Sequence, residues 1–121
     1  MIPLSGETGR LFSPLHPDAY PPDMMCTWMI TVPEGRFVKL SIKSFNLEKT
    51  CNGPVLEIRD GLTSSSNVLK SFCGGDFEPS VFSSGRHLWI RFQTPGDKHL
   101  LGNGFDATYE AVTQCKAFVL S

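Results

Sequence analysis

Apolar and polar residues alternate with a period of two through much of the chain. The alternating segments are residues 27–32, 38–42, 88–92 and 105–111. This period is typical of a β-strand that turns one face toward a core. After Ile42 the apolar positions shift to Phe45 and Leu47, which predicts a β-bulge or a bend at that point.

Short runs of Pro, Gly, Asn, Asp and Ser separate these segments and two further strand-like ones, residues 55–61 and 68–72. We find no window of 11 or more residues with a helical period. Short strands with frequent turns predict an all-β sandwich or barrel. We expect one domain at residues 9–113, with a loose lead-in at residues 1–8 and a tail or linker at residues 114–121.

The four cysteines contain no C-x-x-C pair, so a zinc ribbon or a thioredoxin-like motif is poorly supported. Cys51 and Cys73 bracket the two strand-like segments at 55–61 and 68–72, and a disulfide between them would join the ends of a hairpin. Disulfides indicate an oxidising compartment and argue against a cytosolic enzyme.

Charge and length exclude other classes. The 121 residues carry 11 basic and 12 acidic side chains, a formal net charge of −1, without the clustered basic footprint of a nucleic-acid binder. No apolar run approaches the ~20 residues of a membrane span, so we expect no direct membrane insertion. The first residues do not resemble a signal peptide, so we expect a mature form or a fragment if the protein is secreted.

Catalytic signatures are missing as well. Neither a G-x-S-x-G nucleophile elbow nor an H-E-x-x-H motif occurs. The three histidines, His16, His87 and His99, fall at predicted turns or strand edges, where solvated side chains are the simplest interpretation. We therefore predict that the domain is not an enzyme and that it holds no cofactor.

Eight phrases in order resemble a CUB domain, the extracellular jelly-roll module of complement and tolloid-type proteases, cubilin, neuropilins and transmembrane receptors. They are Gly-Arg-Leu-Phe-Ser-Pro at 9–14, Tyr-Pro-Pro at 20–22, Cys-Thr-Trp-Met-Ile at 26–30, Phe-Asn-Leu-Glu at 45–48, Leu-Glu-Ile-Arg-Asp-Gly at 56–61, Phe-Cys-Gly at 72–74, Leu-Trp-Ile-Arg-Phe at 88–92 and Gly-Phe-Asp-Ala-Thr-Tyr at 104–109. The resemblance implies a two-sheet antiparallel β-sandwich.

The chain departs from the family in its cysteines. A CUB domain usually has a first cysteine near its start, paired to the position that Cys26 matches, and residues 1–8 contain none. Cys115 is an addition beyond the last strand. Two pairings stay open: Cys26 with Cys115, or each with a partner outside this chain.

It also departs in the residues that bind calcium in many CUB domains. The glutamate of that pattern is kept as Glu48, whereas Pro54 and Pro95 occupy the two aspartate positions. Proline offers no side-chain ligand, and calcium takes six to eight oxygens. We predict a metal-free domain in which Lys98 or His99 supplies positive charge near Glu48, with Asp97 as the one acidic residue that could substitute.

The resemblance implies a noncatalytic recognition module in the ectodomain of a secreted or cell-surface protein. Its partner would be another extracellular protein or an adjacent domain of the same chain. We expect binding through two end loops, residues 48–53 and 95–103. The candidate contacts there are Glu48, Asn52, Asp97, Lys98, His99, Leu100 and Leu101. A structural spacer that orients a neighbouring protease or receptor domain is the alternative, and carbohydrate binding ranks below both.

A second candidate surface lies on the opposite face of one strand. Trp89 and Arg91 alternate with Leu88, Ile90 and Phe92, so they point away from the predicted core. Trp and Arg are enriched in binding hot spots, although neighbouring segments could cover this face instead. Glu57 and Asp60, which flank Arg59, are interpreted as a solvated strand edge with local ion pairs.

Overall fold

The computed structural model describes residues 2–13, 23–46, 55–73, 77–94 and 104–113. These residues form nine strands and no helix. The strands are β1 (Ile2–Ser5), β2 (Thr8–Phe12), β3 (Met25–Thr31), β4 (Arg36–Asn46), β5 (Val55–Asp60), β6 (Asn67–Phe72), β7 (Ser80–Phe82), β8 (His87–Gln93) and β9 (Gly104–Thr113). No helix in this part of the chain could span a membrane.

The strands form two sheets. One has five strands in the order β1-β3-β8-β5-β6, and the other has four in the order β2-β9-β4-β7. Every neighbouring pair is antiparallel except β1 and β3, which run parallel. The predicted two-sheet antiparallel sandwich is therefore confirmed, as is the predicted β5–β6 hairpin.

The core lies between the sheets and is built from the period-two positions. Ile30, Leu40 and Ile90 have no exposed surface, and burial of each such side chain contributes about 1.5–3 kcal/mol. Phe105 connects the layers, because its ring packs edge-on against Phe92 at a centroid distance of 5.2 Å. The alternation in the sequence thus sets which face of each strand is inside.

The predicted irregularity after Ile42 is present in β4. The register between β4 and β9 shifts between Ile42 and Ser44, which is the signature of a β-bulge. Beyond the bulge, Phe45 packs against Phe72 at 6.0 Å and Phe77 at 5.1 Å between ring centroids. The bulge therefore returns an aromatic side chain to the interior after the change of phase.

The lead-in prediction for residues 1–8 is wrong over the part that the structure describes. Residues 2–5 form β1, which pairs in parallel with β3 from Ile2 opposite Trp28 to Ser5 opposite Thr31. Its edge position explains why Pro3 is tolerated, since an edge strand has one row of backbone groups without a ladder partner. Residues 114–121, the predicted tail, lie outside the described residues.

The predicted Cys26–Cys115 bridge is also wrong, since Cys26 is a free, half-buried thiol. Cys26 pairs with Phe92, at the level of Phe105, while β9 runs eight residues further to Thr113. Eight strand residues span about 26 Å. The two residues from Thr113 to Cys115 could shorten that distance by at most about 7 Å. Because bonded cysteines need Cα atoms within about 7 Å of each other, the distance from Cys26 is too long for a bridge.

The second cysteine pair has one described member. Cys73 follows directly on β6 and is disulfide-bonded. Cys51 lies outside the described residues, so the pairing of Cys51 with Cys73 stays a prediction.

Candidate functional site

The two predicted end loops begin and finish at one end of the sandwich. Asn46 pairs with Gly104, and these residues flank the segments 47–54 and 95–103 on one sheet. Val55 pairs with Gln93 on the other sheet and flanks the same two segments. The predicted contacts themselves lie outside the described residues: Glu48, Asn52, Asp97, Lys98, His99, Leu100 and Leu101.

This end of the sandwich is held by two sets of reciprocal hydrogen bonds. The backbone N–H of Ser13 donates to the carbonyl of Phe105 at 3.0 Å, and the N–H of Phe105 donates to Ser13 Oγ at 3.0 Å. The N–H of Thr94 likewise donates to the carbonyl of Met24, and the N–H of Met24 to Thr94 Oγ1, both at 2.8 Å. Ser13 and Thr94 are buried, so these bonds fix the strand ends from inside.

The second candidate surface is the outer face of the five-stranded sheet. On β8, Trp89 and Arg91 point away from the core. Arg91 lies in register between Thr27 on β3 and Glu57 on β5. Trp89 is aligned with Arg59 of β5 in the same way. We call Glu57, Arg59, Trp89 and Arg91 the outer-face cluster.

Trp89 is buried, with 2% of its surface exposed, although it is not part of the core. The guanidinium carbon of Arg91 lies 4.6 Å from the centroid of the Trp89 ring, and that of Arg59 lies 5.8 Å away. Both distances suit cation–π attraction. The structure thus covers the indole, and Arg91 is the member of the predicted pair that a partner could reach.

Arg59 is engaged through both terminal nitrogens of its guanidinium, although its Nε is shielded from solvent and has no hydrogen-bond partner among the described residues. Its Nη2 donates to Glu57 Oε2 at 2.9 Å, and its Nη1 donates to the carbonyl oxygen of Ser66 at 2.7 Å. The side chains of Glu57 and Arg59 are only 23% and 22% exposed. The predicted local ion pair is thus confirmed. The predicted solvated edge is wrong for Glu57 and Arg59, because β5 lies inside the five-stranded sheet and the segment after it folds back beside them.

That segment, residues 61–66, is ordered by its own hydrogen bonds. The N–H of Ser66 donates to the carbonyl of Thr63 at 3.0 Å, and the N–H of Thr63 donates to Ser66 Oγ at 3.2 Å. Thr63 Oγ1 also accepts from the N–H of Ser65 at 3.1 Å. Ser and Thr commonly stabilise turns in this way, so the hydroxyl groups of Thr63 and Ser66 have defined positions.

Arg91 differs from the other arginines. All five lie in the described residues, and four have a carboxylate oxygen within 4.0 Å, at 2.9 Å for Arg10, Arg36 and Arg59 and at 3.9 Å for Arg86. Among the described residues, Arg91 has none. Its Nε, like that of Arg59, is shielded from solvent and makes no hydrogen bond within the described residues, a situation that costs roughly 1–3 kcal/mol. The missing carboxylate partner is therefore what sets Arg91 apart.

An open cleft of about 300 Å³ adjoins Arg91. The residues that line it are Thr27, Leu62, Thr63, Ser64, Trp89 and Arg91. Sequence reasoning identified Trp89 and Arg91 from their alternation, but it missed the threonine and serine hydroxyls. The only signal for them was the Ser- and Thr-rich composition of residues 63–66, which does not reveal the strand that the segment covers.

The described residues give no support for catalysis. His87 contacts Thr31 Oγ1 through Nδ1 at 3.0 Å, and burial lowers its pKa, as does the charge of Arg86. His16 and His99 lie outside the described residues. Within those residues, no group of three or more His, Cys, Asp and Glu side chains could hold a metal ion.

The chain belongs to the CUB domain family, whose model matches residues 3–109. It is 39% identical over 101 residues to Tolloid-like protein 2 of Mus musculus, covering 82% of this chain and 10% of the relative. It is 40% identical over 111 residues to Cubilin of Sus scrofa, covering 89% of this chain and 3% of the relative. A solved structure, the CUB1-EGF-CUB2 domain of human MASP-1/3, matches with a TM-score of 0.81 and 34% identity, covering 95% of this chain and 45% of that one.

The family defines the class of protein. CUB domains are generally noncatalytic protein-interaction modules, and the relatives of this chain are extracellular or cell-surface proteins. We therefore assign the domain to the extracellular side. The chain spans only a small part of the curated relatives it matches.

Proposed function

We propose that this CUB domain is a noncatalytic recognition module of a larger secreted or cell-surface protein, which binds another extracellular protein through residues 48–53 and 95–103. The observation that supports this proposal best is the convergence of their flanking residues at one end of the sandwich. Loops presented by a rigid scaffold are frequent sites of binding.

The buried hydrogen bonds of Ser13 and Thr94 favour a rigid platform under these segments. A fixed platform lowers the entropy lost on association, because fewer groups become ordered when the partner binds. The sequence of the second segment offers contact groups of mixed character. His99 would supply a polar group, and Leu100 with Leu101 would supply an apolar anchor.

We propose that binding here does not need calcium. Glu48 and Asp97 are the carboxylates available in the sequence near the family's metal position, where Pro54 and Pro95 replace two aspartates. This donor set does not fit an ion that takes six to eight oxygens. Lys98 or His99 would then balance the charge of Glu48. A thermal melt in calcium and in chelator tests this, and a clear rise in Tm with millimolar calcium would contradict it.

The function is tested by probing an array of extracellular ectodomains with the 121-residue chain, alongside a glycan array. We expect a protein partner and no glycan signal. The double variant Leu100→Ser/Leu101→Ser should lose the partner. Phe82→Ser removes a half-exposed apolar side chain from β7 and should retain it. Absence of any protein partner in trans would contradict the proposal and favour the spacer role.

A further inference from the structure

We propose that the cleft beside Arg91 binds an aspartate or glutamate side chain of a partner protein. The carboxylate would pair with the guanidinium of Arg91 and accept hydrogen bonds from hydroxyl groups of Thr27, Thr63 and Ser64, which line the cleft with it. This inference rests on the proposed recognition function, and it adds a second contact surface away from the end segments.

The charge of the outer-face cluster supports an anionic ligand. Its two arginines and one glutamate give the cluster a net charge of 2 − 1 = +1. The glutamate is already ion-paired, because Glu57 Oε2 lies 2.9 Å from Arg59 Nη2. Arg91 lies directly opposite Glu57 in register, yet no ion pair forms between them. Within the outer-face cluster, the positive charge that remains unbalanced is therefore that of Arg91.

On the opposite face of the sandwich, another arginine lies over an aromatic ring and is paired with a carboxylate of the same chain. Arg10 lies over the ring of Phe12 at 5.2 Å, as Arg91 lies over Trp89 at 4.6 Å. Arg10 also donates two hydrogen bonds to Asp106, at 2.9 and 3.0 Å. Arg91 lacks such a partner among the described residues, so a partner protein can provide the carboxylate.

The geometry also suits recognition of a planar anion. Stacking on Trp89 orients the guanidinium of Arg91. Because its Nε is shielded from solvent, its two terminal nitrogens are the donors that a carboxylate in the cleft could reach. An oriented guanidinium forms paired hydrogen bonds to a carboxylate more readily than a flexible ammonium does. Because Arg59 fixes the carbonyl of Ser66, the segment that carries the hydroxyl groups is held in place before the ligand arrives.

The surroundings favour an acidic protein segment over a sulfated glycan. Polyanionic ligands need several free basic groups, and Arg59 is engaged by Glu57 and Ser66. Leu62, at the rim of the cleft, is 46% exposed and offers an apolar contact beside the charge. We therefore expect an acidic residue next to an apolar one in the recognised segment.

The test selects binders from a random heptapeptide display library on the 121-residue chain and measures the affinity of the selected peptides. We expect an Asp or Glu beside an apolar residue in the consensus. Arg91→Gln should weaken binding by about tenfold or more, as expected for a hydrogen-bonded charge pair. Arg91→Lys keeps the charge and should recover only part of the affinity. Arg10→Gln, the matched control, should bind like the wild type.

A direct readout accompanies the affinities. The side-chain Nε–H resonance of Arg91 should shift when the selected peptide is added, and it should not shift with the same peptide carrying Gln or Asn in place of the acid. Peptides without an acidic consensus, an affinity unaffected by Arg91→Gln, or no selected peptide at all would each overturn the inference. So would a sulfated oligosaccharide that binds more tightly than the peptides.

Failure of this inference can be told apart from failure of the proposed function. A partner that binds Arg91→Gln normally but loses affinity for Leu100→Ser/Leu101→Ser would leave the recognition function standing and remove the role of the cleft.

Discussion

Replacement of Arg59 by Met tests how the outer-face cluster is held together. Methionine keeps an apolar stem beside Trp89 but removes the donors to Glu57 and to the Ser66 carbonyl. Hydrogen bonds to charged groups contribute about 1.5–3 kcal/mol each. Both partners in the ion pair keep about a fifth of their surface exposed, so we use the lower end of the range. Arg59→Met should therefore lower the free energy of unfolding by about 3 kcal/mol.

Urea unfolding of a double-mutant cycle with Glu57→Gln provides the assay. In the Glu57→Gln background Arg59 still bonds to the Ser66 carbonyl, so the cost of Arg59→Met should fall to roughly half. Amide hydrogen exchange in residues 62–66 should speed up in Arg59→Met because the segment loses its anchor. An equal loss of unfolding free energy from Arg59→Met in both backgrounds, or unchanged amide exchange in residues 62–66, would refute the reasoning.

Three further predictions concern the scaffold. Gly9→Ala should destabilise the domain by about 1–3 kcal/mol in a thermal melt, because the added Cβ would lie 2.8 Å from Tyr109 Cζ, and a neutral effect would contradict the packing. Burial lowers the pKa of His87, so the neutral imidazole should stabilise the fold fully above the unfolded pKa of about 6.5. This stabilisation should be lost as the pH falls through the lower folded pKa. Thermal melts of His87→Gln at several pH values should lack that pH dependence. A Cys51–Cys73 bridge should contribute roughly 3 kcal/mol, and a nonreducing peptide map with either thiol free would exclude it.

The strands of the core could be predicted from the sequence because their signal is local. Alternation in residues 38–42 or 88–92 states directly which side chains face inward, and the change of phase after Ile42 marked the bulge. Three short strands were missed for the opposite reason. β1 contains Pro3, β2 contains Gly9 and buries only Leu11, and β7 has three residues. Pairing with β3, β9 and β4 stabilises them, and nothing in their own sequence predicts it.

The residues of the candidate sites could likewise be predicted only where their signal is local. Alternation identified Trp89 and Arg91 as outward-facing, but burial of Trp89 depends on arginines that come from two strands and on a covering segment. The Cys26–Cys115 pairing failed because it needs the direction of β9 relative to β3, which is a property of the assembled sheets. The sequence alone does not give the distance between Cys26 and Cys115.

The proposed calcium-free recognition is tested most directly by the affinity of the partner ectodomain for the 121-residue chain in millimolar calcium and in chelator. The account predicts the same Kd in both solutions, because the residues at the family's metal position do not provide enough oxygen ligands. Binding that disappears in chelator and returns with calcium would contradict it.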